Sequence, residues 1–474
     1  MQPPTIYDNY QTFPVGSRAA GMGGAYTALA CDEAALHYNP AALACAGASR
    51  LELSANAYII DAMFVPGAFG PDEDLSAVTY HSVPSIVGGV RLLLDGDPVD
   101  HTGRLAFGIS VSLPRSLSVK ADPTGERRSF LKYRGRDDLT VGEVGLGYQL
   151  SRQLALGLSV GAGLRTAEED FTTLVASRTL FACGSAAEQA AGNTCRGFIL
   201  ATEEREVLAV GARAKLGLRW TPIDRLSLGL AVTTPSLDIH GSAKTFLGQA
   251  VAIPSFDAAD PLAGALYDAA PMVLDASSGL SLPLRVAAGI AWSTPRFTAS
   301  LDVSVNFPRD VRVAYDQQAR DIADVEEGDA AIPDEVLHRT WQPNVNIGVE
   351  LPITGPVVLA LGAFTDLSGV ATEDVESLEA PADRVHMFGG SAAVGILSRQ
   401  SRGWVGLSFE GGQAESRVIA GDLTLESVVA QSGLAWGGRS TVTRWTLVGM
   451  IGSNYSFLAD DEPAPAPPPK PPPR

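Results

Sequence analysis

Charged side chains recur within stretches of this sequence that otherwise alternate between apolar and small residues. They are Arg165, Arg213, Lys215, Arg219, Arg285, Asp302 and Glu350. Because a guanidinium group binds a carboxylate through two parallel hydrogen bonds, Arg165, Arg213 and Arg285 are candidates for holding an acidic ligand. The alternative is that these charges are hydrated or form ion pairs with another part of the chain. The sequence leaves both interpretations open.

Catalytic chemistry has little support. The sequence contains no nucleophile elbow, phosphate-binding loop or HExxH motif. The six histidines are scattered along the chain, at His37, His81, His101, His240, His338 and His386. A metal site needs clustered ligands, so we expect no metal, no cofactor and no catalytic residue. A protease or lipase site assembled from separate strands is the remaining enzymatic alternative.

The composition favours a membrane protein built from strands. Of the 474 residues, 46% are hydrophobic and 19% are charged, yet no run of 18 apolar residues occurs. Helical membrane spans need about 20 such residues, whereas a transmembrane β-barrel distributes its apolar residues in alternation. The net charge of −18 argues against nucleic-acid binding. Acidic stretches such as residues 71–74 and 321–335 indicate solvated outer loops, or alternatively contact with lipopolysaccharide through divalent ions.

Period-two alternation is the main structural signal, and residues 153–165 show it best. Leucine, valine or alanine occupies every second position from Leu154 to Leu164, and small residues or Arg165 occupy the others. Such a strand has two unlike faces. About 14 runs of this kind begin near Ser49, Tyr80, Arg104, Leu139, Gln153, Glu206, Leu226, Leu282, Arg296, Trp341, Pro356, Arg384, Gly403 and Thr443. Short and long connections alternate between these runs. The long connections are roughly residues 114–138, 166–205, 236–281, 308–340, 368–383 and 411–442. The fold class predicted is therefore all-β, a transmembrane antiparallel barrel of about 14 strands over residues 49–458.

The two ends of the chain do not alternate. Residues 1–48 contain Gly21, Gly23 and Gly24, a helix-compatible stretch from residue 25 to 36, and Asn39 followed by Pro40 and Ala41. Asparagine caps helices and proline suits the first helical position, so we expect a compact plug inside the barrel. Residues 459–474 are rich in proline, which favours an extended conformation. This tail is interpreted as a disordered periplasmic segment, or as a contact for the cell wall or a periplasmic partner.

The four cysteines fall into two close pairs, Cys31 with Cys45 and Cys183 with Cys195. Even numbers at short spacing suit disulfides in an oxidising compartment. The first residues lack the basic and apolar regions of a signal peptide, so we expect that a signal has been removed.

The N-terminal block resembles the plug, or hatch, of the long-chain fatty-acid transporter family of outer-membrane proteins, the FadL/TodX type. The resemblance rests on the glycine-rich stretch, on its spacing to Asn39, Pro40 and Ala41, and on the strands that follow, including residues 105–108 with Pro114 behind them. It implies a bacterial outer-membrane channel for passive uptake of long-chain fatty acids or other apolar compounds. In such a channel the third and fourth outer loops capture the ligand. Rearrangement of the plug then releases it, sideways through a gap near the third strand.

The apolar residues of these two loops are the implied ligand contacts. Phe171 and Leu174 belong to the third loop, which a Cys183–Cys195 bond would pin, and Phe246, Leu247 and Phe256 belong to the fourth. Members of the family that bind fatty acids hold the carboxylate with basic residues near the top of the fifth strand. Residues 166–170 are acidic there, so a neutral apolar compound is an equal alternative. A surface carrier of the same design that serves protein secretion is the alternative function, and the plug argues against an open diffusion pore.

Overall fold

The computed structural model describes most of the chain. The described residues are 9, 14–32, 34–45, 49–68, 74–81, 87–94, 102–121, 130–176, 181–182, 194–195, 198–253, 265–321, 334–376, 382–398, 401–418 and 438–458. The Pro-rich tail, Cys183 and Phe256 lie outside these ranges, so the expectations for them remain predictions. No helix among the described residues is long and apolar enough to cross a membrane.

The secondary structure is dominated by strands. Three short helices, α1 (Ser17–Gly21), α2 (Ala35–Tyr38) and α3 (Thr372–Val375), and a 3-10 helix (Pro40–Ala44) accompany them. The strands of the first half are β1 (Ser49–Val65), β2 (Leu75–His81), β3 (Val87–Leu94), β4 (Leu105–Ala121), β5 (Phe130–Gln149), β6 (Leu154–Ala176), β7 (Phe181–Ala182), β8 (Thr194–Cys195), β9 (Phe198–Ile223) and β10 (Leu226–Thr233). Those of the second half are β11 (Leu237–Ile253), β12 (Ala265–Ser277), β13 (Arg285–Ser293), β14 (Thr298–Asn306), β15 (Val311–Asp321), β16 (Glu335–Leu337), β17 (Gln342–Thr354), β18 (Val357–Asp366), β19 (Met387–Leu397), β20 (Ser401–Val418) and β21 (Gly438–Leu458).

Nineteen of these strands form one antiparallel sheet, and β7 with β8 forms a separate hairpin. The sheet closes on itself, because β1 pairs with β21 along almost its whole length. Five pairs of consecutive strands lie end to end along the same neighbours, namely β2 with β3, β10 with β11, β12 with β13, β14 with β15, and β16 with β17. Counting each pair once gives 14 barrel strands, and the predicted barrel is confirmed. Closure pairs the first barrel strand with the last and so removes the two edges that an open sheet would expose.

The two faces of each strand differ as the alternation predicts. On β6 the side chains of Leu156, Leu158 and Val160 are 42–51% exposed on the outside, whereas Ala155 and Ser159 are buried on the inside. An apolar outer band with a small or polar interior is the pattern of a barrel in lipid. One end of the barrel carries short turns, such as 150–153, 224–225 and 294–297, and is called here the short-turn end. The opposite end, where strands project further, is the long-strand end.

The long connections expected from the sequence are partly wrong. Strand β6 continues to Ala176 and β9 starts at Phe198, so much of residues 166–205 is paired strand. Strands β11 and β12 likewise occupy most of residues 237–277. Charged residues suggested loops there, but a strand that projects into water satisfies its backbone hydrogen bonds in the ladder and carries charged side chains without cost.

Candidate functional site

Residues 14–45 pack against the inward face of the sheet, and almost all of them are buried. Of the described residues in the helix-compatible stretch 25–36, only Ala35 and Leu36 are helical, at the start of α2, so the expectation of a longer helix is corrected. The reason is a tertiary contact. The carboxylate of Asp302 on β14 accepts hydrogen bonds from the backbone N–H groups of Tyr26 (2.8 Å) and Thr27 (2.6 Å), which holds this stretch in turns.

The glycine-rich part of this segment is bound to the wall formed by β17, β18 and β19. The Ser391 hydroxyl donates to the carbonyl of Gly21 (3.1 Å), and the Asn346 amide donates to the carbonyl of Gly23 (2.6 Å). Gly23 and Gly24 have φ of +62° and +77°, a region that residues with a Cβ rarely adopt. The Arg18 guanidinium pairs with Glu350 at 2.7 Å. Glycine is thus required here for backbone conformation and for close approach.

Asn39 joins the segment to the opposite wall. Its side-chain oxygen accepts from the N–H of Ala41 (3.2 Å), which caps the 3-10 helix that Pro40 begins. Its side-chain N–H group donates to the carbonyls of Thr27 and of Leu218 on β9, both at 3.0 Å. One side chain therefore caps a helix, ties two turns together and anchors both to the barrel.

The structure joins Cys31 and Cys45 by a disulfide, with their Cα atoms 5.7 Å apart. The bond encloses α2 and the 3-10 helix. Arg91 donates to the carbonyl of Cys31 (3.0 Å), and Arg104 donates to that of Cys45 (3.4 Å). The covalent loop is thus held by two arginines of the barrel.

A cavity of about 60 Å³ lies between this segment and the barrel wall. Its lining comes from the segment, from the six strands β4, β5, β9, β10, β13 and β14, and from residues 282–283. It comprises Thr27, His37, Tyr38, Pro114, Leu139, Arg213, Lys215, Ala231, Thr233, Leu282, Pro283, Arg285, Ala287 and Asn306. The volume corresponds to roughly four water molecules, at about 15 Å³ each. A long apolar ligand therefore needs the cavity to widen.

Two cations of the cavity form no ion pair among the described residues, although the Asp302 carboxylate lies near Arg285 and Arg285 donates to the Ser304 hydroxyl at 3.4 Å. Neither Arg213 nor Arg285 forms an ion pair with a described residue, and Arg285 Nε is buried without a hydrogen-bond partner in the described part of the chain. Lys215, by contrast, pairs with Glu143 (3.0 Å) and donates to the carbonyls of Leu36 (2.6 Å) and His37 (2.7 Å). Two guanidinium groups are therefore available to an anion.

The two aromatic side chains of the segment that face the cavity are neutral. Burial, together with the nearby charges of Lys215, Arg285 and Arg213, holds the pKa of His37 well below its usual range. Burial also raises the pKa of Tyr38, so its hydroxyl keeps its proton; the hydroxyl oxygen accepts from the N–H of Val15 at 3.1 Å. Both side chains offer neutral hydrogen-bonding groups beside the two arginines.

The candidate ligand residues from the sequence are separated in the structure. Arg213 and Arg285 meet at the cavity, but Arg165 is buried in a bidentate pair with Asp137 (3.1 and 3.0 Å) and does not line it. Asp137 pairs with its charge, so Arg165 does not belong to this cavity, and its role in ligand binding stays a prediction.

The apolar candidates do not form one groove. Phe171 is buried whereas Leu174, three positions later on β6, lies on the other face, and Phe246 and Leu247 are consecutive on β11. Consecutive positions on a strand point to opposite faces. The four described side chains therefore do not share one face of the sheet, and their role as ligand contacts, like that of Phe256, stays a prediction.

Sequence reasoning missed His37, Tyr38 and Leu282 as cavity residues. Lys215 shares the inward face of β9 with Arg213, and this parity was the available signal. No sequence signal indicated that residues 282–283 line the cavity, because their position depends on where the chain leaves the barrel wall. Within the described ranges, no three His, Cys, Asp or Glu side chains are grouped to hold a metal ion.

Solved structures with this architecture are known. A Pseudomonas aeruginosa FadL homologue superimposes with a TM-score of 0.59 at 13% identity, over 94% of this chain and 100% of that one. The P. putida toluene transporter TodX gives 0.57 at 14% identity, over 95% and 100%. The chain has the FadL-type fold. The Ralstonia pickettii toluene transporter TbuX gives 0.53 at 13% identity, over 95% and 100%.

Sequence comparison adds nothing to this likeness. No family model matches the chain, and no curated protein matches it. The three structures that share the FadL-type fold are described as a FadL homologue and as toluene transporters rather than as enzymes.

Proposed function

We propose that the protein is a bacterial outer-membrane channel for the passive uptake of hydrophobic small molecules. In this proposal residues 14–45 act as the plug and the long-strand end faces outside, since short turns lie on the periplasmic side of such barrels. The ligand passes along the barrel interior when the plug rearranges.

The cavity beside residues 14–45 carries this proposal. Leu139, Leu282 and Ala287 give it apolar walls, and Arg213 and Arg285, which form no ion pair among the described residues, give it positive charge. Apolar surface with a few convergent polar groups is the usual make-up of a ligand site. The lining suits an amphiphile with an acidic head, such as a long-chain fatty acid.

The small volume of the cavity supports a moving plug. A site with room for a few water molecules accepts an alkyl chain only if the segment or the wall shifts. The segment is held to the wall by a buried apolar cluster that includes Met22, Leu36 and Leu43 and by polar contacts. The polar contacts, such as those of Asn39, Asp302 and Arg18, can break one at a time. Gating by rearrangement of the plug requires no energy source.

Native mass spectrometry of the folded, detergent-purified barrel tests the proposal. The protein is measured before and after incubation with long-chain fatty acids and with neutral hydrocarbons of equal length. Stoichiometric retention of fatty acids, with weaker retention of the hydrocarbons, is expected. If no apolar compound is retained, the channel proposal fails, and co-purification of a secreted protein partner becomes the next measurement.

A further inference from the structure

The inward face of β9 leads from the N-terminal segment past the cavity to the long-strand end. Gly217 lies against Asn39, and Lys215 and Arg213 line the cavity. The next inward positions are all buried, and they are Gly211, Ala209, Val207, Arg205 and Glu203. A strand rises about 3.3 Å per residue, so the path from Arg213 to Arg205 is about 26 Å long. Burial along this path means that other parts of the chain fill the lumen beside it.

Two apolar levels cover the first part of this path. Leu280 and Ala209 belong to the level beside the cavity. The level above it is one buried cluster of small side chains from four strands, namely Ala167, Val207, Ala243 and Ala314. In the sheet β12 separates β15 from β11, and β9 and β6 are further away still. Ala314 of β15 therefore reaches the other three residues across the inside of the barrel.

At the third level an ion pair crosses the lumen. The guanidinium group of Arg205 on β9 lies 3.1 Å from the carboxylate of Glu335 on β16. The strands β11, β12 and β15 stand between β9 and β16 in the sheet, so this contact does not join neighbouring strands. The side chains of Arg205 and Glu335 are only 5% and 12% exposed. We call this pair of residues the outer latch, and it closes the lumen beside β9.

Arg205 has two further carboxylate partners, and both are local. Glu203 on the same strand lies 3.2 Å from its guanidinium group, and Glu169 on the neighbouring strand β6 lies 3.6 Å from it. Glu169 is also the register partner of Arg205. A buried charge left without a partner is strongly unfavourable. The two local carboxylates prevent this when Glu335 moves away, so the latch can open without leaving the arginine unpaired.

The chain that carries Glu335 bends beside the latch. β16 has three residues, and among the described strands it pairs only with β15. The pairing of β15 with β12 shifts register just after Tyr315, where Asp316 has φ of +54°. Residues with a Cβ rarely adopt this conformation. The wall stays paired here, because the Gly279 N–H donates to the Arg312 carbonyl at 3.2 Å. Opening therefore separates β16 and the inward bend of β15 from β9, and it leaves the barrel ladder intact.

The outer latch lies beyond the lipid-facing band. On the outward face of β9, Leu208 is 39% exposed, and the next two outward residues toward the long-strand end are Glu206 and Glu204, both exposed. Carboxylates on the outer face do not suit hydrocarbon. This level of β9 therefore projects into water, and the latch stands between the outside and the cavity.

We propose that the outer latch is an entry gate, which closes the lumen between the long-strand end and the cavity and opens to admit the hydrophobic ligand. This deepens the proposed function and rests on it. Residues 14–45 lie on the other side of the cavity, so the ligand site is enclosed from both ends and each end opens by itself. Below the latch the levels are apolar contacts of small residues, which separate without exposing a buried charge. The ion pair between Arg205 and Glu335 therefore controls the opening.

The rates of ligand entry and exit test the gate. Full-length protein in detergent is mixed with a fluorescent long-chain fatty acid, and association and dissociation are followed by stopped flow. Glu335→Gln should raise both rates about tenfold, the low end of the range for a hydrogen bond to a charged group, because glutamine still offers a neutral acceptor. The dissociation constant should stay the same, since a gate that is closed in both the free and the bound protein changes the two rates alike.

Glu169→Gln is the matched control for this variant. It removes a carboxylate from the same guanidinium group but leaves the contact across the lumen in place. Both rates should stay within about twofold of the native values, as expected for a weak ion pair. If Glu169→Gln is as fast as Glu335→Gln, the effect comes from the charge around Arg205, and the gate is wrong.

A locked latch should give the opposite result. Arg205→Cys with Glu335→Cys is bridged by a short cleavable thiol cross-linker, and circular dichroism checks that the barrel is folded. Both rates should fall at least tenfold in the bridged protein, and cleavage of the linker should restore them. Native protein carried through the same chemistry controls for the native cysteines.

Unchanged rates in Glu335→Gln, or native rates in the bridged protein, overturn the gate. So does a change of affinity without a parallel change of both rates, because Glu335 would then contribute to binding. Retention of the same fatty acid is measured by native mass spectrometry in each sample. Absent retention in the native protein overturns the channel proposal and the gate with it, whereas normal retention with rates that ignore the latch overturns only the gate.

Discussion

The Asn39 side chain donates a hydrogen bond to the backbone carbonyl of Leu218, across 3.0 Å between the N-terminal segment and β9. Such a direct bond to strand backbone requires that no side chain intervene. Gly217 on β9 and Gly157 on β6 provide this space, because a Cβ at Gly157 would overlap the backbone of Pro40 and Ala41. Inward glycines are therefore the surface on which this segment rests.

Gly157→Ala is expected to displace the 3-10 helix, because the added methyl group overlaps backbone that has no rotamer to change. Overpacking of this kind costs about 1–3 kcal/mol. Hydrogen exchange of residues 39–44 should speed up by roughly ten- to hundredfold, at 1.4 kcal/mol per factor of ten. Gly142→Ala is the matched control, since a Cβ there meets nothing within 4 Å. Equal protection in the two variants would show that the segment does not rest on Gly157.

Arg213 and Arg285, the cavity arginines that form no ion pair among the described residues, give a second prediction. Arg213→Gln and Arg285→Gln should each weaken retention of a long-chain fatty acid about ten- to hundredfold, because a hydrogen bond to a charged group is worth roughly 1.5–3 kcal/mol. Binding of a hydrocarbon of equal length should change little, since its burial is untouched. Titration followed by native mass spectrometry measures both.

Arg219→Gln serves as the control for these variants. Arg219 lies on β9 like Arg213 but does not line the cavity. If it weakens fatty-acid binding as much as Arg213→Gln does, the effect reflects the overall charge of the interior and not a site.

The sequence predicted the barrel because strand periodicity is a local property. The outward face of β6 can be predicted from the alternation alone, without knowledge of the neighbouring strands, and it carries Leu156, Leu158 and Val160. The cavity depends on distant contacts. Arg165 and Arg213 are alike in sequence, and only the register that places Asp137 beside Arg165 separates them. The inward turn at Leu282 depends on packing against β5 and β9. These strands are distant in the sequence, so the local pattern around Leu282 does not predict the contact.

The docking of the N-terminal segment should weaken in acid. Burial and the neighbouring cations lower the pKa of His37 in the folded protein below its value of about 6.5 in the unfolded chain. Between these two values the undocked segment binds a proton that the docked one excludes. Stability is therefore complete above about pH 6.5 and falls as pH decreases from there toward the folded pKa. One proton limits the slope to about tenfold per pH unit.

Hydrogen exchange of residues 34–45, corrected for the intrinsic rate at each pH, measures this dependence. His37→Gln should flatten the profile below pH 6.5, because the amide does not titrate. His240→Gln changes an exposed histidine on β11 and should leave it as it is. A flat profile in the native protein would show that docking does not depend on pH. A pH dependence that persists in His37→Gln would assign the effect to another titrating group.

The disulfide between Cys31 and Cys45 should stabilise the segment more than the barrel. The two residues are 14 positions apart, and closing a loop of that length restricts the undocked chain by about 3 kcal/mol in the entropic account. Cys31→Ser with Cys45→Ser is therefore expected to raise exchange of residues 34–45 by roughly a hundredfold, at 1.4 kcal/mol per factor of ten. The barrel ladder, which the bond does not touch, should keep its protection. The thermal unfolding midpoint of the barrel, measured by circular dichroism, separates the two effects. If this midpoint falls together with the protection of the segment, the segment and the barrel unfold as one unit. The plug could then not rearrange alone.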